Sequence, residues 1–221
     1  MKGMIVTGLM VGCLALGLMA QFNGAWLTET EEADADTGEP ESTTNLGLRE
    51  SEAIVAVGDE ATCKAMVPAY ETMMSDAEIE CDGSDLVIVM ALEDICDMMP
   101  DGDDKDDCES TASAGSTGGM ILWVGSIAAI LATLMLIMAI AGVEVDAIPD
   151  NVGMIMNWAA GGLTILAVLV WYMMLPDGGD MSASTGVYMG VIAGVMGLAA
   201  GGMDTFMAAD DDGGGDAAPA E

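Results

Sequence analysis

Four apolar stretches, at residues 4–22, 119–142, 152–175 and 184–203, leave this chain few ways to fold in water. At about 1.5 Å rise per residue, each is long enough as a helix to cross a hydrocarbon core of roughly 30 Å. Between the first and the second lies a segment of 95 residues that holds 26 of the 37 acids and four of the five cysteines. This arrangement predicts a mainly α membrane protein, a four-transmembrane-helix bundle with a small disulfide-bonded α/β ectodomain between helices 1 and 2. The expected boundaries are 1–22 for the first helix, 23–117 for the acidic ectodomain, 118–209 for helices 2–4 and 210–221 for a disordered acidic tail.

Charge narrows the partners. Four bases, Lys2, Arg49, Lys64 and Lys105, stand against 37 acids for a net charge of −33, so phosphate backbones are repelled and nucleic acid is excluded as a partner. Self-repulsion of this size favours a saline or cation-containing exterior, because the Debye length falls to about 3 Å at 1 M salt. Histidine is absent, which removes the commonest general base and a principal zinc ligand. With no nucleophile paired to a base and no phosphate loop, the sequence reads as non-enzymatic.

Cys63, Cys81, Cys96 and Cys108 all fall in the acidic segment, an even count that reads as two disulfides in an oxidising exterior, with three pairings open. Cys13 stands alone in the first apolar stretch and reads as a small buried hydrophobe. Lys2 flanks that stretch, so the positive-inside rule puts the N-terminus in the cytoplasm. The stretch reads first as an anchor and second as a signal peptide. Either way residues 23–117 lie outside a plasma membrane and the C-terminus, with Asp210, Asp211, Asp212 and Asp216, lies inside.

The connections 143–151 and 176–183 are short and carry Pro149, Pro176, Gly178 and Gly179, which predicts that the last three helices are antiparallel neighbours. Gly186, Gly190 and Gly194, then Gly197 and Gly201, recur at intervals of four, the spacing that lets a neighbouring backbone approach closely. They pack helices within the chain or form a seam for self-association. No ionisable residue lies inside a span as drawn: Asp204 falls just beyond the fourth, and Asn157 reads as an interhelical hydrogen-bonding or interfacial group. Trp123, Trp171, Tyr172 and Tyr188 lie toward span ends, as interface anchors do. Methionine pairs such as Met173 and Met174 read as apolar filler rather than a copper(I) site.

Within the ectodomain, residues 28–44 are almost wholly polar and small, which predicts a mobile loop. Leu46 to Val57 and Cys63 to Val67 flank Gly58-Asp59-Glu60 and read as a hairpin. Ala69 to Ile79 and Asp85 to Met99 read as helices, with a strand at Leu86 to Met90 as the alternative. Asp101, Asp103, Asp104, Asp106 and Asp107 surround Gly102 and read as a solvated acidic loop, with a weak Ca²⁺ site as the second reading. No other cofactor is indicated.

The order of short N-terminus, span, large cysteine-bearing loop and three closely connected spans resembles the claudin and peripheral-myelin-protein tetraspans. Trp26 after the first span, Gly47-Leu48-Arg49-Glu50, and Cys63 with Cys81 are similar to that family's tryptophan, Gly-Leu-Trp and paired-cysteine pattern. The resemblance implies a four-stranded extracellular sheet on a left-handed four-helix bundle and a role in adhesion, paracellular sealing or membrane organisation. The partners expected are the lipid bilayer and a lateral protein or a second copy. Two further readings stand beside this one: an accessory or sensor subunit with a cation-binding ectodomain, and a small cation channel.

Overall fold

The computed structural model describes residues 2–34, 40–143, 152–176 and 181–212. It is mostly helical, with four long apolar helices, α1 (Lys2–Gln21), α4 (Asp103–Ile140), α5 (Val152–Met174) and α6 (Thr185–Asp212). The remaining elements are strands β1 (Leu27–Glu31), β2 (Ser42–Leu46), β3 (Glu50–Ala56), β4 (Glu78–Asp82), β5 (Asp85–Ala91) and β6 (Ser182–Ala183), with helices α2 (Glu60–Met73) and α3 (Leu92–Met98). Two compact units divide the chain: residues 1–18, 121–167 and 189–221 form the helical unit, and residues 19–120 and 168–188 form the sheet unit.

The helical unit is built on small residues. Val6 and Met10 of α1 pack with Ala128, Ala129 and Ala132 of α4, Ala160 of α5 and Ala200 of α6. Backbones approach closely between α5 and α6, where a Cβ added at Gly197 would lie 2.6 Å from Gly161 Cα and 3.0 Å from Cys13 Sγ. The pairs 165 with 194, 161 with 197 and 157 with 204 run in opposite directions, so these two helices are antiparallel as expected. Thr133 and Thr164, both buried, donate their hydroxyls to the carbonyls of Ala129 and Ala160 one turn back, which satisfies them inside the apolar core. Asn157, also buried, donates Nδ2 to Asp204 Oδ2 at 3.1 Å, and Trp158 donates to Thr205 beside it.

The sheet unit is antiparallel with strand order β4-β5-β3-β2-β1-β6. Asp82 pairs with Asp85, which leaves Gly83 and Ser84 as a two-residue turn, and Gly83 takes the positive φ of +64° that such turns require. Trp26 anchors the start of β1. It is 1% exposed, its indole N–H donates to Ala20 O at 2.7 Å, and its ring meets Trp171 edge-on at 4.9 Å. Gly186 leaves room for it, since a Cβ there would lie 2.7 Å from the indole nitrogen.

Several expectations from the sequence are corrected. The two ends of the stretch expected as a mobile loop, residues 28–31 and 42–44, belong to strands β1 and β2, because Thr and Asn side chains that bury little area gain partners across the ladder. Thr28 donates to Asn45 at 2.9 Å and Asn45 donates on to Glu52 at 3.0 Å; residues 35–39 of that loop lie outside the described residues. The hairpin around Gly58 and Asp59 does not form. Asp59 is instead the N-cap of α2, accepting from Thr62 N at 2.9 Å, and Cys63 to Val67 are helical. The helix expected at Ala69 to Ile79 ends at Met73, and Ile79 lies in β4. Asp85 to Met99 is not one helix; its first part is β5, the alternative reading, because a place between β3 and β4 suits the β-branched run Val87-Ile88-Val89 on both sides.

The acidic loop at residues 101–109 is helical from Asp103 onward, so the second apolar stretch is the continuation of a 38-residue helix. At the other end α6 carries through Asp212, three residues into the expected tail, whereas residues 213–221 lie outside the described residues, as do 144–151 and 177–180 of the two short connections. Trp171 is not an interface anchor. It is 2% exposed against Trp26, while Trp123, Tyr172 and Tyr188 are exposed. The sheet has six strands rather than the four that the resemblance implied, and the sixth comes from the connection between the last two helices.

Candidate functional site

A groove in the sheet unit is assembled from three separated pieces of chain. The turn Gly47-Leu48-Arg49-Glu50 is closed by Gly47 N donating to Glu50 O at 2.8 Å, and Leu92 N at the start of α3 donates to Arg49 O at 2.9 Å. Leu48, 4% exposed, seats its carbonyl directly against Gly115 of α4, an approach that any Cβ at that position would block. The Cys96–Cys108 disulfide ties α3 to the first turns of α4. Both walls of the groove are thereby held to α4.

Two contiguous cavities make up the groove. The larger, about 600 Å³, is lined by Glu93 and Asp97 of α3 and by Glu109, Ser113, Ser116 and Thr117 of α4, with Met120 at one end. The smaller, about 420 Å³, is lined by Leu48, Arg49, Glu50 and Leu92 and shares Glu93, Ala112 and Ser116 with the larger. Charges of both signs face the same space. Lys64 pairs with Glu60 and Lys105 with Asp101, yet Arg49 forms no ion pair among the described residues although Glu50 and Glu93 line its cavity.

The residues singled out in the sequence fall elsewhere. Asp103, Asp104, Asp106 and Asp107 open α4, and Asp101 precedes them and accepts from Lys105 at 3.3 Å. Among the described residues no three Asp, Glu, Cys or His side chains converge as metal ligands would. The four ectodomain cysteines pair as Cys63–Cys81 and Cys96–Cys108, and Cys13 is free and buried. Of the α6 glycines, Gly186 meets Trp26, Gly194 meets Ile165, Gly197 meets Gly161 and Gly201 meets Trp158; Gly190 is buried. The contacts of Gly186, Gly194, Gly197 and Gly201 are within this chain.

Outside the spans, shifted carboxyls are found at the start of α2. Hydrogen bonds from Thr62 hold the Asp59 carboxyl below its ordinary value, and Lys64 does the same for Glu60. Neither borders the groove. Sequence reasoning missed the groove because it placed the helix start at residue 119. With α4 begun at Asp103, Glu109, Ser113, Ser116 and Met120 follow helical spacing along one face, and Glu93 and Asp97 lie one turn apart on α3. No protein-family model matches this chain, and no curated protein does.

Proposed function

We propose that the chain is a four-pass protein of the cell membrane, without enzymatic activity, that adheres or organises membranes through its acidic ectodomain. One observation carries the topology. Strand β6, in the connection between α5 and α6, pairs with β1 in the connection between α1 and α4, with Leu27 opposite Ala183 and Thr28 opposite Ser182. Four successive crossings put those two connections on one side of a bilayer, so the pairing agrees with spanning and gives a common ectodomain. The long helices also present large apolar side chains to their surroundings, among them Ile127, Leu134, Leu169 and Ile192, which suits lipid and not water. The resemblance to claudin-like tetraspans supports an adhesive or organising role, and the −33 charge suits a cation-rich exterior where a partner binds through screened or bridged carboxylates. Lateral packing against a second copy would use faces other than that of Gly186, Gly194, Gly197 and Gly201, which meet residues within the chain.

The test has two parts. Reporter cysteines at Thr30 and Ser182 should both react with a membrane-impermeant maleimide on intact cells, and one at Met203 should not. Labelling of only one of the first two would remove the shared ectodomain. Proteoliposomes carrying the full chain should then cluster in saline in a way that free ectodomain-directed antibody blocks; dispersal identical to that of empty vesicles would overturn the adhesive reading.

A further inference from the structure

One atom in the helical unit lacks the partner that its burial demands. Asn157 is 1% exposed, its Nδ2 donates to Asp204 Oδ2 at 3.1 Å, and its Oδ1 is buried with no hydrogen-bond partner among the described residues. Turning the amide over would bring its oxygen against the carboxylate and cost the nitrogen its acceptor. Oδ1 shares a carbon with Nδ2, so it stands close to the same carboxylate. An orphaned acceptor is destabilising, and so is a half-buried carboxylate whose charge is not met. Arg49, Lys64 and Lys105 belong to the sheet unit, and Lys2, one turn before Val6 on α1, has its side chain outside the described residues. We propose that Asn157 Oδ1 and the Asp204 carboxylate form a Na⁺ site between α5 and α6.

Charge and packing select that ion. Both groups offer oxygen acceptors, as a hard cation requires, and together they carry one negative charge, which a monovalent ion cancels. A divalent ion would leave a positive charge beside Ala160 and Ala200 of the core, each one turn from the pair, with two residues where Ca²⁺ takes about six to eight oxygens. Space is narrow: a Cβ at Gly201 would lie 3.1 Å from the Trp158 ring, which favours Na⁺ over the larger K⁺. A water molecule would satisfy Oδ1 yet leave the charge unmet. Thr205 steadies the turn that carries Asp204, accepting from Trp158 Nε1 at 3.1 Å and donating to Gly201 O at 2.8 Å. Asp204, the more exposed of the pair, gives the ion its way in. The site lies within the helical unit and is independent of the adhesive reading.

Full-length protein in detergent is equilibrated with radiolabelled Na⁺ at constant ionic strength, N-methylglucamine being the balancing cation. The −33 charge gathers a diffuse cation layer around every variant, so the site is read as binding that the natural chain has and Asp204→Asn lacks. Saturable binding of one ion per chain, with K⁺ a weaker competitor, supports the proposal. Asp204→Asn, which keeps the shape and removes the charge, should abolish that binding, and Asn157→Ala should weaken it at least about tenfold. Na⁺ in place of N-methylglucamine should also raise the thermal transition of the natural chain and not that of Asp204→Asn. Lys2→Gln should leave binding intact or tighten it, and Glu80→Gln, in the sheet unit, should not alter it. Where one of the two site variants fails to fold, the other decides. Binding that survives either folded site variant, loss of binding in folded Lys2→Gln, K⁺ competing as well as Na⁺, or no saturable binding overturns the site; the last result would make water the partner of Oδ1.

Discussion

Replacing Gly161 by alanine tests the packing on which the helical unit depends. A Cβ at Gly161 would lie 2.6 Å from the Gly197 carbonyl carbon and 2.8 Å from Gly194 O, and would also meet the backbone nitrogen of Leu198. Carbon atoms pack at about 3.5–4.0 Å, so α5 and α6 must separate by roughly 1 Å. All three obstacles are backbone, which cannot rotate aside as a side chain can. Overpacking of this kind costs about 1–3 kcal/mol. The same displacement stretches the Asn157–Asp204 and Trp158–Thr205 bonds, 3.1 Å each, and such interhelical bonds contribute about 0.6 kcal/mol apiece in membranes. Alanine also favours the helix by up to about 1 kcal/mol over glycine, which blurs a comparison with the natural chain. Gly162 removes that ambiguity. It is the next residue, a Cβ there meets nothing within 4 Å, and Gly162→Ala carries the same gain in propensity without the clash. The two variants should therefore differ by about 2–4 kcal/mol. At about 2–4 °C per kcal/mol for a chain of this length, Gly161→Ala should melt roughly 4–16 °C below Gly162→Ala in detergent. Transitions within 1–2 °C of each other, on that same scale, would refute the close-approach argument.

Three other outcomes follow from the sheet unit. Non-reducing peptide mapping should find Cys63 linked to Cys81 and Cys96 to Cys108, and Cys63→Ser with Cys81→Ser should lower stability by about 3 kcal/mol for a loop of 18 residues, measured by denaturant titration of the ectodomain transition without reductant. Trp26→Phe removes the indole donor to Ala20 O and part of the contact with Trp171, and should cost about 1–3 kcal/mol by denaturant titration; an unchanged midpoint would count against Trp26 as an anchor. Asp59 and Glu60 have carboxyls held below their ordinary values of 3.8 and 4.5, so their support for α2 is complete above those values and fades as the pH falls through them and below. Circular dichroism on acidification should show helix loss in that window, and Asp59→Asn, which keeps a capping oxygen but cannot titrate, should reduce its pH dependence.

How far the sequence could be read depended on whether the decisive interaction was local. The apolar stretches were legible because their length and composition act residue by residue, and the four long helices cover them to within two residues at either end. Glycines at intervals of four announced close helix approach, and Gly161 was the partner that periodicity in α6 alone could not identify. Thr28 to Thr44 misled because hydroxyl and amide side chains have no local preference strong enough to declare a strand; the ladder through Asn45 and Glu52 gives them one. Gly58-Asp59 carried a true signal, a positive-φ glycine of +90° before a capping residue, that fits a turn or a helix start equally well. The groove was illegible for a related reason. Arg49, Glu93 and Ser116 come together only through the Cys96–Cys108 link and the seat of Leu48 on Gly115, and the sequence left three cysteine pairings open.

The sequence by itself determined that this chain has four helices suited to lipid, an acidic cysteine-bearing segment between the first two, and a charge that repels nucleic acid, because hydrophobicity, helix length and net charge are sums over residues. Tertiary structure decided which cysteines pair, that the connection between the last two helices supplies a strand to the same sheet, and that Arg49 lines one cavity with Glu50 and Glu93. Those features depend on contacts between residues distant in sequence, whose free energy is set by geometry that no local window contains.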